Sequence, residues 1–290
     1  MKPARPARRM TDAAGAAAER ADALILFGLT GDLARKKLMP ALYRLEAADR
    51  LGVPVIGVAS SDWTIEELRV KARTALEEAG ITVDRPVFDR LAGRLSYVSG
   101  DYRDVATYQR LAEAVGAGPC PVAYLAIPPG LFSTVVDGLA AQGLNRGRVV
   151  VEKPFGRDTA TSRQLDAAVT AHVPEERIFR IDHFLGKEPV LNLLVFRFAN
   201  AIFEPLWNRH HVRQVTVSLD ESYGVEGRGR FYDEVGALRD VVQNHLLAVV
   251  ALLAMEPPVS EDADALADEM AKVLMAMRPF EPRRTRRAQY

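Results

Sequence analysis

Over the first 180 residues, short apolar runs alternate with amphipathic stretches. Ala23–Phe27 is an unbroken apolar run closed by Gly28, and Val53–Val58, Leu95–Val98, Pro121–Ala126 and Arg148–Glu152 follow as further strand-length segments. Runs that are apolar almost throughout mark strands covered on both faces. The stretches between them carry helical spacing, as in Leu33–Ala48 and Thr64–Ala79, where Thr64 and Glu67 are placed to make a capping box. Strand and helix alternating in this way predict an α/β fold: a Rossmann-type, doubly wound parallel sheet.

The pattern changes after residue 180. A long helix is expected from Gly186 to Phe203, then an alternating run from His211 to Asp220 (Val212, Val215, Val217, Leu219) that reads as a half-buried antiparallel strand. Asp233–Met255 has the apolar stripe of a second long helix, and residues 261–278 read as a third, charged one. The expected organisation is a disordered Ala/Arg-rich leader at 1–21, a dinucleotide-binding Rossmann domain at 22–180, and an incomplete α+β domain with antiparallel strands at 181–290. One strand cannot make a sheet by itself, which is why the second domain reads as partial.

Composition narrows the function classes. Hydrophobic residues make up 48% of the 290 residues, ample for a core, and no apolar stretch approaches a bilayer span. Lys plus Arg and Asp plus Glu are 38 each, so a general nucleic-acid or anionic-membrane binder is not expected. A single cysteine, Cys120, excludes an intrachain disulfide and a cysteine-rich metal site, and fits a reducing cytoplasm. Only 7 of the basic residues are Lys, and Lys36, Lys37, Lys153 and Lys187 all fall in segments with other chemical signals.

Four segments carry those signals. GLTGDLARKK, Gly28–Lys37, follows a strand and opens a helix, so its glycines and unpaired helix N–H groups suit a pyrophosphate, although an ordinary strand–helix turn would look similar. The loop after the second strand offers Ser60 and Asp62, where an Arg would favour the 2′-phosphate of NADP and an acidic residue the 2′-hydroxyl of NAD. EKPFGRD, Glu152–Asp158, puts Lys153 at the carboxyl end of the fifth strand, facing either a ligand crevice or solvent. RIDHFLGKE, Arg180–Glu188, brings Asp182, His183 and Lys187 to a helix start, where they read as a phosphate site or as structural residues. In the fourth segment, GRGRFYDEVGALRDVVQNHLL (Gly227–Leu247), Asp240, Gln243, Asn244 and His245 interrupt an apolar helix, as a general base or as an internal hydrogen-bond network. No His/Asp/Glu group has metal-ligand spacing along the chain, so no metal site is expected.

The order of these segments, with RFANAIFEPLWNR (197–209) and AMEPP (254–258), resembles the glucose-6-phosphate dehydrogenase family from about residue 22 to the end. The resemblance implies oxidation of β-D-glucose 6-phosphate at C1 to 6-phosphogluconolactone, with hydride passed to NADP or NAD, in the pentose phosphate pathway. It implies His245 as the general base, Asp182 as the carboxylate orienting it, and Lys153 as a contact to sugar and nicotinamide. His183 and Lys187 match phosphate ligands, Glu221 and Asp240 match acceptors for sugar hydroxyls, and Gly28, Thr30, Gly31, Asp32, Leu33, Lys37 and Ser60 match the dinucleotide site. Phe184 stands where the family carries Tyr, and Ser60 and Asp62 stand where its NADP-preferring members carry arginines. The family is homodimeric or tetrameric, and its members continue past the position of Tyr290 through most of a large antiparallel sheet. A second expectation is therefore a catalytically weak or inactive nucleotide-binding remnant.

Overall fold

The computed structural model describes residues 20–156, 158–220, 224–225, 229–286 and 288. Most of the expected leader therefore lies outside the described residues. The chain divides into two compact units, Ala18–Ile181 and Asp182–Tyr290.

The first unit is built on six parallel strands: β1 (Ala23–Phe27), β2 (Val55–Ala59), β3 (Leu95–Ser99), β4 (Pro121–Leu125), β5 (Arg148–Glu152) and β6 (Ile178–Ile181), in the order β3-β2-β1-β4-β5-β6. Every pairing is parallel, with Leu26 opposite Gly57 on one side and Tyr124 on the other. Side chains alternate across this sheet, so it sorts its own core. Ile25, Phe27, Val58 and Leu125 face α4 (Val105–Val115) and α5 (Phe132–Ala141), packing on Leu111, Phe132, Val136 and Leu139. Leu26, Val55 and Leu95 face the opposite layer of α1 (Met39–Ala47), α2 (Ile65–Glu78) and α3 (Arg85–Arg94). A further helix, α6 (Thr159–Thr170), adds Val169 to the first layer. Helices on both faces are the doubly wound arrangement, and β1 and β4 flank its switch point.

Local signals explain several boundaries. Thr64 and Glu67 cap α2 reciprocally: the Glu67 amide donates to the Thr64 hydroxyl at 3.2 Å, and the Thr64 amide to the Glu67 carboxylate at 2.8 Å. A π-wound turn, Ala34–Leu38, leads into α1. Glu46 of α1 is fully buried and is bridged by Arg90 at 3.1 Å and Arg94 at 2.8 Å, which ties α1 to α3.

The second unit contains α7 (Glu188–Phe198), a short α8 (Gly229–Glu234), a π-wound segment (Leu238–Leu246) running into α9 (Leu247–Ala254), and α10 (Ala263–Ala276). Val190, Val249, Leu252 and Met255 form its small core. Three expectations are corrected here. The helix expected over 186–203 ends at Phe198, and the Asn200 carbonyl then turns the chain by accepting from Phe203 and Glu204. The helix expected over 233–255 is interrupted at Gly236, whose φ of +72° is left-handed, and is π-wound beyond it. Residues 212–220 form no strand and pair with none among the described residues, so the antiparallel part expected of this unit is not seen there. Alternation supplies one apolar face; a strand also needs a ladder partner for its N–H and C=O groups.

Candidate active site

The dinucleotide-type loop sits at the carboxyl end of β1. Gly28 has φ +79°, and a Cβ there would lie 2.2 Å from the Ala126 carbonyl oxygen, so only glycine fits between β1 and the end of β4. Its amide donates to the Val58 carbonyl at 2.9 Å and meets the Tyr102 hydroxyl at 2.9 Å, which itself donates to Val58 at 3.1 Å. The Gly31 amide closes the turn on the Gly28 carbonyl at 2.9 Å. Thr30 is half-buried and accepts from the Ser61 hydroxyl at 3.2 Å, joining the loops after β1 and β2. Tyr97 fastens the second loop by donating to the Ser61 carbonyl at 2.6 Å, and burial pushes its phenol up to about 12. Asp32, Lys37 and Ser60 are exposed and Leu33 is half-buried. Asp32 pairs with Lys36 at 3.1 Å and Arg35 at 3.2 Å, and the Lys36 hydrogen bond is the main reason its carboxyl lies below the usual range. This tight glycine turn at the switch point fits the diphosphate of a nicotinamide dinucleotide.

Lys153 is half-buried immediately after β5. Beside it, the Tyr124 hydroxyl donates to the Glu152 carboxylate, and burial first, then that contact, raises the phenol's pKa.

The second unit carries an acid–base pair. Asp182 begins the turn before α7, and one of its carboxylate oxygens accepts from the Phe184 amide at 2.9 Å. The same oxygen lies 2.7 Å from Nδ1 of His245. His245 is 4% exposed, on the π-wound segment. Phe184 stacks on its ring at 4.8 Å between centroids and 25° between planes, and His183 meets it edge-on at 5.0 Å. The Lys187 ammonium stands 4.2 Å from the Phe184 ring centre. Asp182, His183, His245 and Lys187 thus come together around Phe184. π-winding pairs each N–H with the carbonyl five residues back, so Asp240 and His245 lie one turn apart along that segment; Asp240 is half-buried. Glu221 lies outside the described residues. Each of Asp182, His183 and His245 offers a ligand atom, all within 4.8 Å of one another, a cluster that linear spacing does not reveal.

Arg197 is a supporting residue that the sequence marked only as part of a motif. It is 6% exposed and donates to the carbonyls of Leu252 at 2.6 Å and Met255 at 2.7 Å, closing the carboxyl end of α9. Burial lowers its pKa, and it packs on the rings of Phe198 and Trp207. Trp207 donates to the Leu253 carbonyl at 2.7 Å, so two residues of RFANAIFEPLWNR cap one helix end.

Two family profiles cover almost the whole chain. Residues 25–192 match the glucose-6-phosphate dehydrogenase NAD-binding domain, and residues 194–290 match the glucose-6-phosphate dehydrogenase C-terminal domain. The chain belongs to the glucose-6-phosphate dehydrogenase family. Among relatives in that family, glucose-6-phosphate 1-dehydrogenase 1 of Mycobacterium tuberculosis is 50% identical over 284 residues, 97% of this chain and 60% of the relative. The glucose-6-phosphate 1-dehydrogenase of Aggregatibacter actinomycetemcomitans is 42% identical over 89% of this chain and 55% of its own. The crystal structure of the Mycobacterium avium glucose-6-phosphate 1-dehydrogenase superposes with a TM-score of 0.86 at 51% identity, covering 91% of this chain and 58% of that one. A glucose-6-phosphate dehydrogenase in complex with its substrate glucose-6-phosphate gives 0.84 at 37% identity, covering 90% and 56%. The chain therefore spans 55–60% of the length of these relatives.

Proposed function

We propose that the chain is a glucose-6-phosphate dehydrogenase. It would oxidise β-D-glucose 6-phosphate at C1 to 6-phosphogluconolactone and pass hydride to NADP or NAD, as the first step of the oxidative pentose phosphate pathway. The observation that carries this reading is the 2.7 Å contact between Asp182 and Nδ1 of His245. A carboxylate at Nδ1 holds the imidazole in the tautomer whose Nε2 lone pair is available, and stabilises the imidazolium that forms. His245 then removes the C1 hydroxyl proton as hydride leaves C1, and the C1–O bond becomes a carbonyl. When bound, the nicotinamide supplies the hydride acceptor.

The remaining residues bind and orient. His183 and Lys187 hold the sugar phosphate, and Glu221 and Asp240 accept from its hydroxyls. Lys153 contacts sugar and nicotinamide. Gly28, Thr30, Gly31, Asp32, Leu33, Lys37 and Ser60 form the dinucleotide site within a domain spanning 22–180, and 181–290 belongs to the substrate and dimerisation domain. A homodimer or tetramer and a cytoplasmic location follow from the same reading; among the described residues, no helix is long and apolar enough to cross a membrane.

One observation favours the second reading, a nucleotide-binding chain without turnover. Leu191, Val195 and Phe196 of α7, and Ile202 after it, are large apolar side chains standing exposed in the second unit. Nicotinamide reduction with glucose 6-phosphate, run with NADP and NAD in parallel and with His245→Asn as control, separates the two. Turnover lost in the control supports the dehydrogenase; dinucleotide binding without turnover supports the second reading.

A further inference from the structure

A cavity of about 420 Å³ opens between α1 and α2 in the first unit, lined among others by Thr30, Arg35, Trp63, Lys71, Thr74 and Glu78. Its position is informative. In a doubly wound fold the diphosphate lies at the turn after the first strand, and the adenosine ribose lies beside the end of the second. Thr30 belongs to the first of these places. Trp63 follows the loop after β2, and Ser61 bonds to Thr30 between them. The cavity wall is thus shared by the two loops that border an adenosine ribose.

The cations around this cavity are not equivalent. Arg35 is taken up by Glu78 and Asp32, and Lys36 by Asp32. Lys71 makes no ion pair within 4 Å among the described residues; its ammonium rests 4.8 Å from the centre of the Trp63 ring. The nearby Glu67 is itself engaged in capping α2 at Thr64. Trp63 in turn stacks on Tyr97 at 6.1 Å, and Tyr97 is bonded to Ser61, so the indole is a fixed platform for the lysine. Thr30 accepts from Ser61 and keeps its own hydroxyl proton to donate. An exposed ammonium and a hydroxyl donor border a cavity at the ribose position, and the loop after β2 carries Ser60 and Asp62 with no arginine.

Resting on the dinucleotide-binding reading, we propose that this cavity receives a 2′-phosphomonoester on the adenosine ribose, with Lys71 as its cation and Thr30 as its hydroxyl donor. Lys71 is then the residue that discriminates NADP from NAD, in place of an arginine after β2. The lysine leaves the face of Trp63 and meets the phosphate as a charge-assisted hydrogen bond.

Calorimetric titration of the chain with NADP, NAD, 2′,5′-ADP and 5′-ADP tests this without needing turnover. Lys71→Met, which keeps the apolar stem over Trp63, is expected to weaken NADP and 2′,5′-ADP by about ten- to a hundredfold, the loss of one hydrogen bond to a charged group, and to leave NAD and 5′-ADP within about twofold. Lys71→Arg is expected to retain the preference. Equal losses for both pairs of ligands, or no loss for either, would overturn the assignment while leaving the dinucleotide reading intact. Failure of the unmodified chain to bind any of the four would overturn both.

Discussion

Phe184 lies face to face with His245, 4.8 Å away and 25° from parallel. The family resemblance puts a tyrosine at this position, and a hydroxyl there would face the side of the ring where Lys187 stands. The phenyl ring walls the imidazole whose Nδ1 meets Asp182, and Lys187 stands over the same ring, so the position borders both proposed parts of the site. Phe184→Tyr is expected to restore the hydroxyl and to lower KM for glucose 6-phosphate by about tenfold with kcat little changed, because one hydrogen bond to a charged group is worth roughly 1.5–3 kcal/mol. Steady-state kinetics decides it; a change confined to kcat would contradict the assignment of that position to phosphate.

Asp182→Asn keeps the shape of the turn and removes the charge facing His245. Expected is a kcat lower by about 10²–10⁴-fold, the range seen when an orienting carboxylate is neutralised, with dinucleotide affinity unchanged. Combining it with His245→Asn should cost little beyond the His245 change alone, since the two act as a unit. Additive losses would show that they work separately.

Arg197→Met removes both bonds to the carboxyl end of α9 and leaves the Leu252 and Met255 carbonyls unserved. The bonds are worth roughly 1.5–3 kcal/mol each, partly offset by sparing the burial of a charge, so a net loss of about 2–4 kcal/mol is expected. Amide hydrogen exchange should show faster opening of α9 and α10, with α2 unaffected. An unchanged α9 would mean that Trp207 alone closes the helix end.

Tyr97 gives a pH dependence with a definite sign. Its folded value of about 12 lies above the ordinary phenol value of 10, chiefly because burial disfavours the phenolate. The folded form therefore holds its proton more tightly, and its contribution is complete below pH 10 and lost as pH rises through 12. The loop holding Ser61 and Trp63 should loosen over that window. Trp63 fluorescence in a Trp207→Phe background reads this out; Tyr97→Phe should remove the alkaline transition, and its persistence there would assign it elsewhere.

Gly28→Ala meets two penalties, a left-handed backbone and a Cβ 2.2 Å from the Ala126 carbonyl. A loss of about 2–5 kcal/mol is expected from the conformational and crowding terms together. Denaturant unfolding of the first unit, followed by Trp63 fluorescence, checks it, and a near-neutral effect would mean that β1 and β4 can separate at this end.

Much of the first unit was legible because β1, β2, β4 and β5 are apolar runs bounded by turns, and because Thr64 and Glu67 announce α2. The sixth strand was not: Ile178–Ile181 is short and at the edge, with Phe179 and Arg180 exposed, so it has neither a continuous apolar run nor a clean alternation. In the second unit, periodicity located the helices but not their winding or interruptions, since Gly236 and the π-wound segment depend on tertiary context. Asp240 and His245 were legible through their polar intrusion into an apolar helix, and Asp182, His183 and Lys187 through their clustering at a helix start. Their meeting was not, because Asp182 and His245 are far apart in sequence and no spacing rule links a turn to a helix that packs on it. The stacking role of Phe184 and the capping by Arg197 carried no local signal at all.

The π-wound segment Leu238–Leu246 makes chain length matter as well as residue identity. Such a segment is equivalent to an α-helix holding an extra residue. Deleting one position between Asp240 and His245 would let it relax to ordinary α winding with the two side chains still about one turn apart, whereas a residue added there has no spare winding to take it up and turns the imidazole by roughly a quarter turn. Substitutions along 238–244 can be absorbed one side chain at a time, whereas an added residue turns His245 away from Asp182 in one step. Insertions in this family should accordingly avoid the stretch between Gly236 and His245 and fall in the turns between helices.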